Sequence, residues 1–202
     1  MARDWDAAYT ERGTTAVSWY EPTPRVSLEI IAELAVPPDT PVVDVGGGAS
    51  GLARALADRG FTDVTVLDLS SAALEAARHQ TPAGVTWLLQ DLLTWRPERR
   101  YGLWHDRAVL HFFVDEADRR AYRDTVRAAV AGGGYVVLGA FAPHGPDRCS
   151  GLPVRRYAAS DFRTLLGDDF VTVLQREDDH VTPRGAVQPF AWAALRRRPD
   201  AG

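Results

Sequence analysis

Residues Asp44–Gly51 read DVGGGASG. They hold the spacing G-x-G-x-x-G at Gly46, Gly48 and Gly51. Before them lies a short apolar run, Pro41 to Val45, which reads as a buried strand. After them, Ser50 to Arg59 has a helical pattern, with Leu52, Ala55 and Leu56 on one face and Gly60 as a stop. A strand that enters a glycine loop and leaves as a helix lets a ligand approach the backbone closely. The spacing alone occurs in many tight turns, and the flanking strand and helix give it its meaning.

The same alternation continues on both sides. Pro24 to Leu34 is a helical pattern carrying Val26, Ile30, Ile31 and Leu34, and Pro37-Pro38 ends it. Asp63 to Leu67 and Val85 to Leu89 read as strands, with a helix from Ser70 to Gln80 between them and Ser70 or Ser71 as its N-cap. Tyr101 to His105 reads as a fourth strand. Asp115 to Val130 is a helix with Tyr122, Val126 and Val130 inward. Gly132-Gly133-Gly134 reads as a turn, and Tyr135 to Phe141 as a fifth strand. Continuous apolar strands alternating with helices predict a parallel sheet covered on both faces. After a short helix, Asp161 to Leu166, the runs Phe170 to Arg176 and Val187 to Leu195 have no helix between them, so they are expected to pair antiparallel. At 202 residues the whole is expected to be one α/β domain: a segment 1–23 before a core of 24–202.

Three carboxylates follow three successive strands. Asp44 precedes the first glycine by two residues, where a carboxylate disfavours a pyrophosphate and suits a cation. Asp68, in VTVLDLS, stands 22 residues beyond Gly46, near the spacing of an acid that holds ribose hydroxyls. Asp91, in WLLQDLL, is placed to accept from an adenine amine, with Leu92 packing on the ring. Ligands of open α/β sheets bind at this edge. S-adenosylmethionine, with an ammonium and a sulfonium, meets these demands better than a dinucleotide.

Composition removes other classes. Twenty-three basic against 27 acidic residues leave a net charge of −4, which argues against nonspecific binding to nucleic acid or an anionic membrane. All the basic residues are Arg, so a Schiff-base lysine and a Walker A lysine are excluded. The single cysteine, Cys149, excludes an internal disulfide and a multi-cysteine metal site, and no metal is expected. The N-terminus lacks the apolar stretch of a signal peptide, no run is long enough to span a bilayer, and a cytoplasmic location is expected.

The series DVGGGASG, LDLS, QDLL, LWHDR and AGGGYVVLGAF, in this order, resembles the class I S-adenosylmethionine-dependent methyltransferases. The resemblance implies a Rossmann-like fold with a seven-stranded, mostly parallel sheet, a C-terminal antiparallel hairpin and helices on both faces. It implies that Asp44, Gly46 and Gly48 surround the methionine part of the cofactor, Asp68 the ribose, and Asp91 with Leu92 the adenine, with Gly47 and Leu69 also among the cofactor-binding residues. LWHDRAVLHFF, DRRAYRDTV and the segment from VLGAF to DFRTLLG are similar to the thiopurine S-methyltransferase and tellurite-resistance-type branch, as are the N-terminal WDAAY and VSWY. That similarity implies an aromatic N-terminal lid and an Asp-Arg pair after the fourth strand. Ala-Val after His-Asp-Arg and the CSGLP segment depart from the branch pattern.

The candidates for chemistry are His105, Asp106, Arg107 and His111. His105, at the strand end, is expected either to accept a proton or to line the cofactor. Asp106 and Arg107 read as a substrate pair or as an ion pair that fixes the loop. His111 is placed to face the pocket if it is not a structural histidine. Trp19, with Trp5, Tyr9 and Tyr20, either anchors the first segment or closes over the cofactor. His79, His144 and His180 read as surface or loop residues. Arg148, Arg155 and Arg156 are solvated or attract an anionic substrate, and Cys149 is in reach of it. The expected function is methyl transfer from S-adenosyl-L-methionine to a small-molecule nucleophile, a thiol or other chalcogen. The rival readings are a protein-lysine methyltransferase, an NAD(P)-dependent oxidoreductase and a binding module without catalysis.

Overall fold

A computed structural model describes residues 4–200. The sheet has seven strands: β1 Val42–Val45, β2 Val64–Asp68, β3 Val85–Leu89, β4 Tyr101–Arg107, β5 Val130–Phe141, β8 Phe170–Val181 and β9 Val187–Arg197. A two-stranded hairpin, β6 Arg148–Cys149 and β7 Leu152–Pro153, stands apart from it. The helices are α1 Trp5–Arg12, α2 Arg25–Glu33, α3 Leu52–Ala57, α4 Ser71–Arg78, α5 Glu116–Ala129 and α6 Asp161–Leu166. The spatial order is β3-β2-β1-β4-β5-β9-β8. The first five strands pair parallel, and β9 pairs antiparallel with both β5 and β8. The chain order reverses between β1 and β4, the place where open α/β sheets leave a crevice at the strand ends.

Strand periodicity divides the interior in two. Val43, Val45, Trp104, Val136 and Leu138 face a core with Tyr122 and Val126 of α5 and Phe162 and Leu166 of α6. Val42, Leu103 and Val137 face the other core, with Ile30 of α2, Leu52 and Leu56 of α3 and Leu74 of α4. Successive side chains on a strand point to opposite faces, so both sides of the central strands must be apolar. One helix starts on the cap expected for it: the Ser70 hydroxyl accepts from the Ala73 amide at 3.0 Å, capping α4.

Four details differ from the sequence reading. The aromatic segment WDAAY lies in a helix, α1, with Asp4 as its N-cap. Its Asp6 carboxylate accepts from the Ser70 hydroxyl at 2.6 Å, the Ser71 hydroxyl at 3.1 Å and the Ala72 amide at 3.1 Å, so α1 docks on the start of α4. Gly132–Gly134 are not a free turn. β5 begins directly after α5, and the glycines are absorbed by a register shift, with Val130 opposite Tyr101 and Tyr135 opposite Leu103. The hairpin arm β8 runs on to Val181, so His180 is no loop residue and is only 6% exposed. CSGLP forms the β6–β7 turn, with positive φ at Ser150 (53°) and Gly151 (79°). No helix among the described residues is long and apolar enough to cross a membrane.

Candidate active site

The crevice above β1, β2 and β4 holds two adjoining cavities. One, of about 170 Å³, is walled mainly by apolar groups. Asp68, Leu69, Asp91 and Leu92 lie on its wall together with Trp5, Trp19, Phe112 and Cys149. The other, of about 50 Å³, is lined by the glycine loop with Asp44, Ser27, His105 and Glu21. Tyr9, Trp19 and Arg107 border both. The structure therefore gathers Trp19, Asp44, Gly46, Gly47, Asp68, Leu69, Asp91, Leu92, His105 and Arg107 around one crevice.

Gly46 and Gly48 have φ of +64° and +36°, which side-chain-bearing residues rarely adopt. A Cβ at Gly48 would lie 2.7 Å from Asp68 Oδ2 and 3.2 Å from the Tyr9 oxygen. Gly48 thus keeps space beside the carboxylate. Gly48→Ala is expected to displace Asp68 and weaken cofactor binding about tenfold or more, read by calorimetry with S-adenosylhomocysteine. Wild-type affinity in that variant would show that the close approach has no consequence.

Asp68 accepts the Ser70 amide at 2.8 Å. Burial pushes its carboxyl up to about 6, against the pull of the Ser70, Leu69 and Gly48 amides, and the Asp44 charge adds to the rise. Asp91 is exposed and its carboxylate accepts the Leu93 amide at 2.9 Å, which orients it at the turn after β3. Leu92 beside it is buried.

The register of β1 on β4 sets Asp44 beside His105. His105 Nδ1 meets Asp44 Oδ1 at 2.7 Å, and its Nε2 meets the Ser27 hydroxyl of α2 at 2.9 Å. Both residues are nearly sealed, at 2% and 3% exposure. His105 therefore fixes one oxygen of Asp44. Asp44 Oδ2 is buried, has no hydrogen-bond partner among the described residues and lies against the Gly47 position of the loop. A buried carboxylate oxygen without a donor is costly unless a cationic or donor group meets it.

The remaining expectations for chemistry need correction. Asp106 does not pair with Arg107. Neighbouring strand residues point to opposite faces, so Asp106 turns towards α5 and lines neither cavity. It accepts from the Val109 amide at 2.9 Å, the Leu110 amide at 3.2 Å and the Tyr122 hydroxyl at 2.8 Å. Burial raises its carboxyl to about 6. His111 does not face the pocket either. It is fully buried between Phe112 and Phe141, with ring centroids at 4.5 and 4.8 Å, and its ring nitrogens have no hydrogen-bond partner among the described residues. Burial first, then the Arg107 charge, pushes it down to about 3, so it is neutral at ordinary pH.

Arg107 does reach the crevice. Its Nη1 donates to the Trp19 carbonyl at 2.9 Å, and Nη2 lies 3.2 Å from the Glu21 carboxylate. Burial lowers its pKa, against the stabilising charge of Glu21. The Trp19 indole N–H donates to the Tyr9 hydroxyl at 3.1 Å. Burial and the Asp68 charge push the Tyr9 phenol up, so it keeps its proton. The β6–β7 hairpin contributes Cys149, whose side chain is buried, to the wall. Glu21, Ser27 and Tyr9 were not singled out for these contacts in the sequence. Only the helical phase of Ser27, next to Val26 on the buried face of α2, hinted at one of them.

This geometry agrees with relatives of known class. Residues 42–134 match the family model of a methyltransferase domain. A protein of echinomycin biosynthesis, described by its conversion of a disulfide bond into a thioacetal group, superposes with a TM-score of 0.76 at 22% identity, covering 100% of this chain and 94% of that one. A SAM-dependent methyltransferase from Anabaena variabilis gives 0.76 at 21% identity, covering 96% and 93%. The 1,6-didemethyltoxoflavin N1-methyltransferase of Burkholderia thailandensis gives 0.68 at 18% identity, covering 96% and 83%. The superpositions establish the Rossmann-like class I fold along the chain, and residues 42–134, which build the crevice from β1 to the start of β5, match a methyltransferase domain.

Proposed function

We propose that this enzyme transfers the methyl group of S-adenosyl-L-methionine to a small thiol or another soft, readily ionised nucleophile. The observation that carries the cofactor assignment is the unpartnered, buried Oδ2 of Asp44 beside the glycine loop. An ammonium there supplies the missing donor, whereas a pyrophosphate would meet like charge at this edge. Asp68 accepts from the ribose, and Asp91 with Leu92 takes the adenine. The toxoflavin enzyme is a complex with S-adenosylhomocysteine and its small-molecule acceptor, which supports the same use of this crevice.

S-adenosylmethionine supplies an electrophilic methyl group on a sulfonium. The protein's own part is to bind, align and exclude water, effects worth about 7–11 kcal/mol in favourable cases. Trp5, Trp19 and Phe112 form a largely apolar wall for the acceptor, and Arg107 lends it positive charge. No histidine lines the larger cavity, Tyr9 is held protonated, and Asp68 and Asp91 are the carboxylates on its wall, both assigned to the adenosine. Such a site offers little base assistance. A thiol of pKa about 8.5 is already about 3% thiolate at pH 7, while an amine near 10.4 needs a base. The echinomycin-pathway relative, whose chemistry is at sulfur, supports this choice.

A methyl-label assay tests the proposal by offering small aromatic and aliphatic thiols, the matching amines, and protein extract. Label is expected in the thiols, with a rate that rises with pH towards the thiol pKa. Label confined to amines or to protein would overturn the acceptor assignment. Binding of NADPH in place of S-adenosylhomocysteine would overturn the cofactor assignment.

A further inference from the structure

The edge strand β8 meets the N-terminal part of the chain with every second side chain. Arg176 donates to the Val26 carbonyl at 3.0 Å and pairs with Glu29 at 3.2 Å. Asp178 accepts from Arg25 at 2.7 and 2.9 Å. His180 Nε2 meets the Ser18 carbonyl at 2.7 Å, and its Nδ1 lies 3.4 Å from the Glu21 carboxylate. Residues i, i+2 and i+4 of a strand share a face, so this arm is a rail along which residues 18–29 lie.

His180 is the part of the rail that reaches the crevice. It is buried and packs edge-on against Phe190, and its two partners, Ser18 and Glu21, bracket Trp19. Glu21 lies between His180 and Arg107 and lowers its own pKa through both, against its burial. Arg107 in turn holds the Trp19 carbonyl, and Tyr9 holds the Trp19 indole. Trp19 is thus fixed by its own carbonyl, by its ring nitrogen and by the carbonyl before it. It forms wall in both cavities.

We propose that His180, far along the chain on the C-terminal hairpin, is a positioning residue for methyl transfer. It holds Ser18 and Glu21, and through them it sets Trp19 and Arg107 at the junction of the two cavities. The proposal rests on reading those cavities as the cofactor and acceptor sites. A hairpin arm on the far side of the sheet from the adenosine pocket then helps to shape the methionine end.

The test compares wild type, His180→Ala, His180→Gln and Glu21→Gln by calorimetry with S-adenosylhomocysteine and by amide exchange over residues 14–23. His180→Ala is expected to weaken binding about tenfold, the effect of losing one buried hydrogen bond, and to speed exchange in that segment. His180→Gln keeps an N–H for the Ser18 carbonyl and is expected to restore most of the protection, which loss of bulk alone would not explain. Glu21→Gln leaves Ser18 held but cuts the link to Arg107, and is expected to weaken binding with exchange near wild type. Wild-type affinity and exchange in folded His180→Ala would overturn the proposal. Should that variant not fold, wild-type affinity in both Gln variants would overturn it. Failure of the wild type to bind S-adenosylhomocysteine would sink the functional reading instead, and the exchange comparison would still decide whether His180 holds the segment.

Discussion

Asp68→Asn is expected to remove binding of S-adenosylmethionine and S-adenosylhomocysteine while making the ligand-free protein more stable. The two effects have one cause. Burial has pushed the Asp68 carboxyl up to about 6, above its ordinary value of about 3.9. The native state therefore holds this proton more tightly than the unfolded chain does. Stability contributed by Asp68 is present in full below about pH 4 and falls as pH rises to about 6. At neutral pH the ionised group is a net cost to the fold. A shift of two units corresponds to about 3 kcal/mol, and partial exposure reduces that to about 1 kcal/mol. Asn removes the charge and keeps an acceptor, so melting should rise by roughly 2–4 °C.

In the proposed cofactor site, the same charge would grip the ribose hydroxyls. Hydrogen bonds to an ionised group contribute about 1.5–3 kcal/mol each, so losing one acceptor and the charge on the other weakens binding by about a hundredfold. Wild-type affinity should also fall as pH drops below about 6, where Asp68 takes up its proton. Calorimetry with S-adenosylhomocysteine between pH 5 and 8, together with melting of both proteins, checks these outcomes. Affinity in Asp68→Asn within a few-fold of wild type would remove Asp68 from the cofactor site.

The half of the crevice proposed for the cofactor was legible as a place because it is built from local features. The glycine loop follows directly from β1, and Asp68 and Asp91 follow directly from β2 and β3, so chain order alone puts them at one sheet edge. The sheet was legible for a related reason: apolar runs without alternation require cover on both faces. What the sequence left unread depends on contacts between distant segments. Glu21 meets Arg107 and His180, and Ser27 meets His105, across separations that no spacing reveals. His180 looked like a loop residue because the polar run QREDDH has no apolar strand pattern. Its β8 context comes from pairing with β9, in which His180 lies opposite Gln188. The α1 helix was missed because its stabilisation is tertiary, through Asp6 on α4.

The triplet His105-Asp106-Arg107 shows how strand geometry divides neighbours into different roles. Each was a candidate for chemistry as part of one motif. A period of two sends His105 towards α2, where Ser27 and Asp44 hold it, and Asp106 towards α5. Arg107 returns to the first face and reaches the crevice. The motif is therefore one buried brace for the Asp44 carboxylate, one buried brace for a turn, and one charge at the cavity junction.

Asp106→Ala should accordingly act on stability and leave cofactor affinity nearly unchanged. The substitution strands two backbone amides, Val109 and Leu110, and the Tyr122 hydroxyl in the interior. Removing one side of a buried charged network costs about 3–5 kcal/mol, so melting should fall by roughly 6–20 °C. Asp106→Asn keeps one acceptor for those donors and removes a charge that burial disfavours, so it should stay within about 1 kcal/mol of wild type at neutral pH. Its advantage should disappear in acid. The raised carboxyl, at about 6, means that wild-type stability from Asp106 is fullest below about pH 4 and declines as pH rises through 6. Calorimetry at a temperature where the Ala variant is folded should give an S-adenosylhomocysteine affinity within a few-fold of wild type, because the carboxylate lines neither cavity. An Ala variant with unchanged melting and lost turnover would place Asp106 in the chemistry and contradict the orientation that β4 gives it.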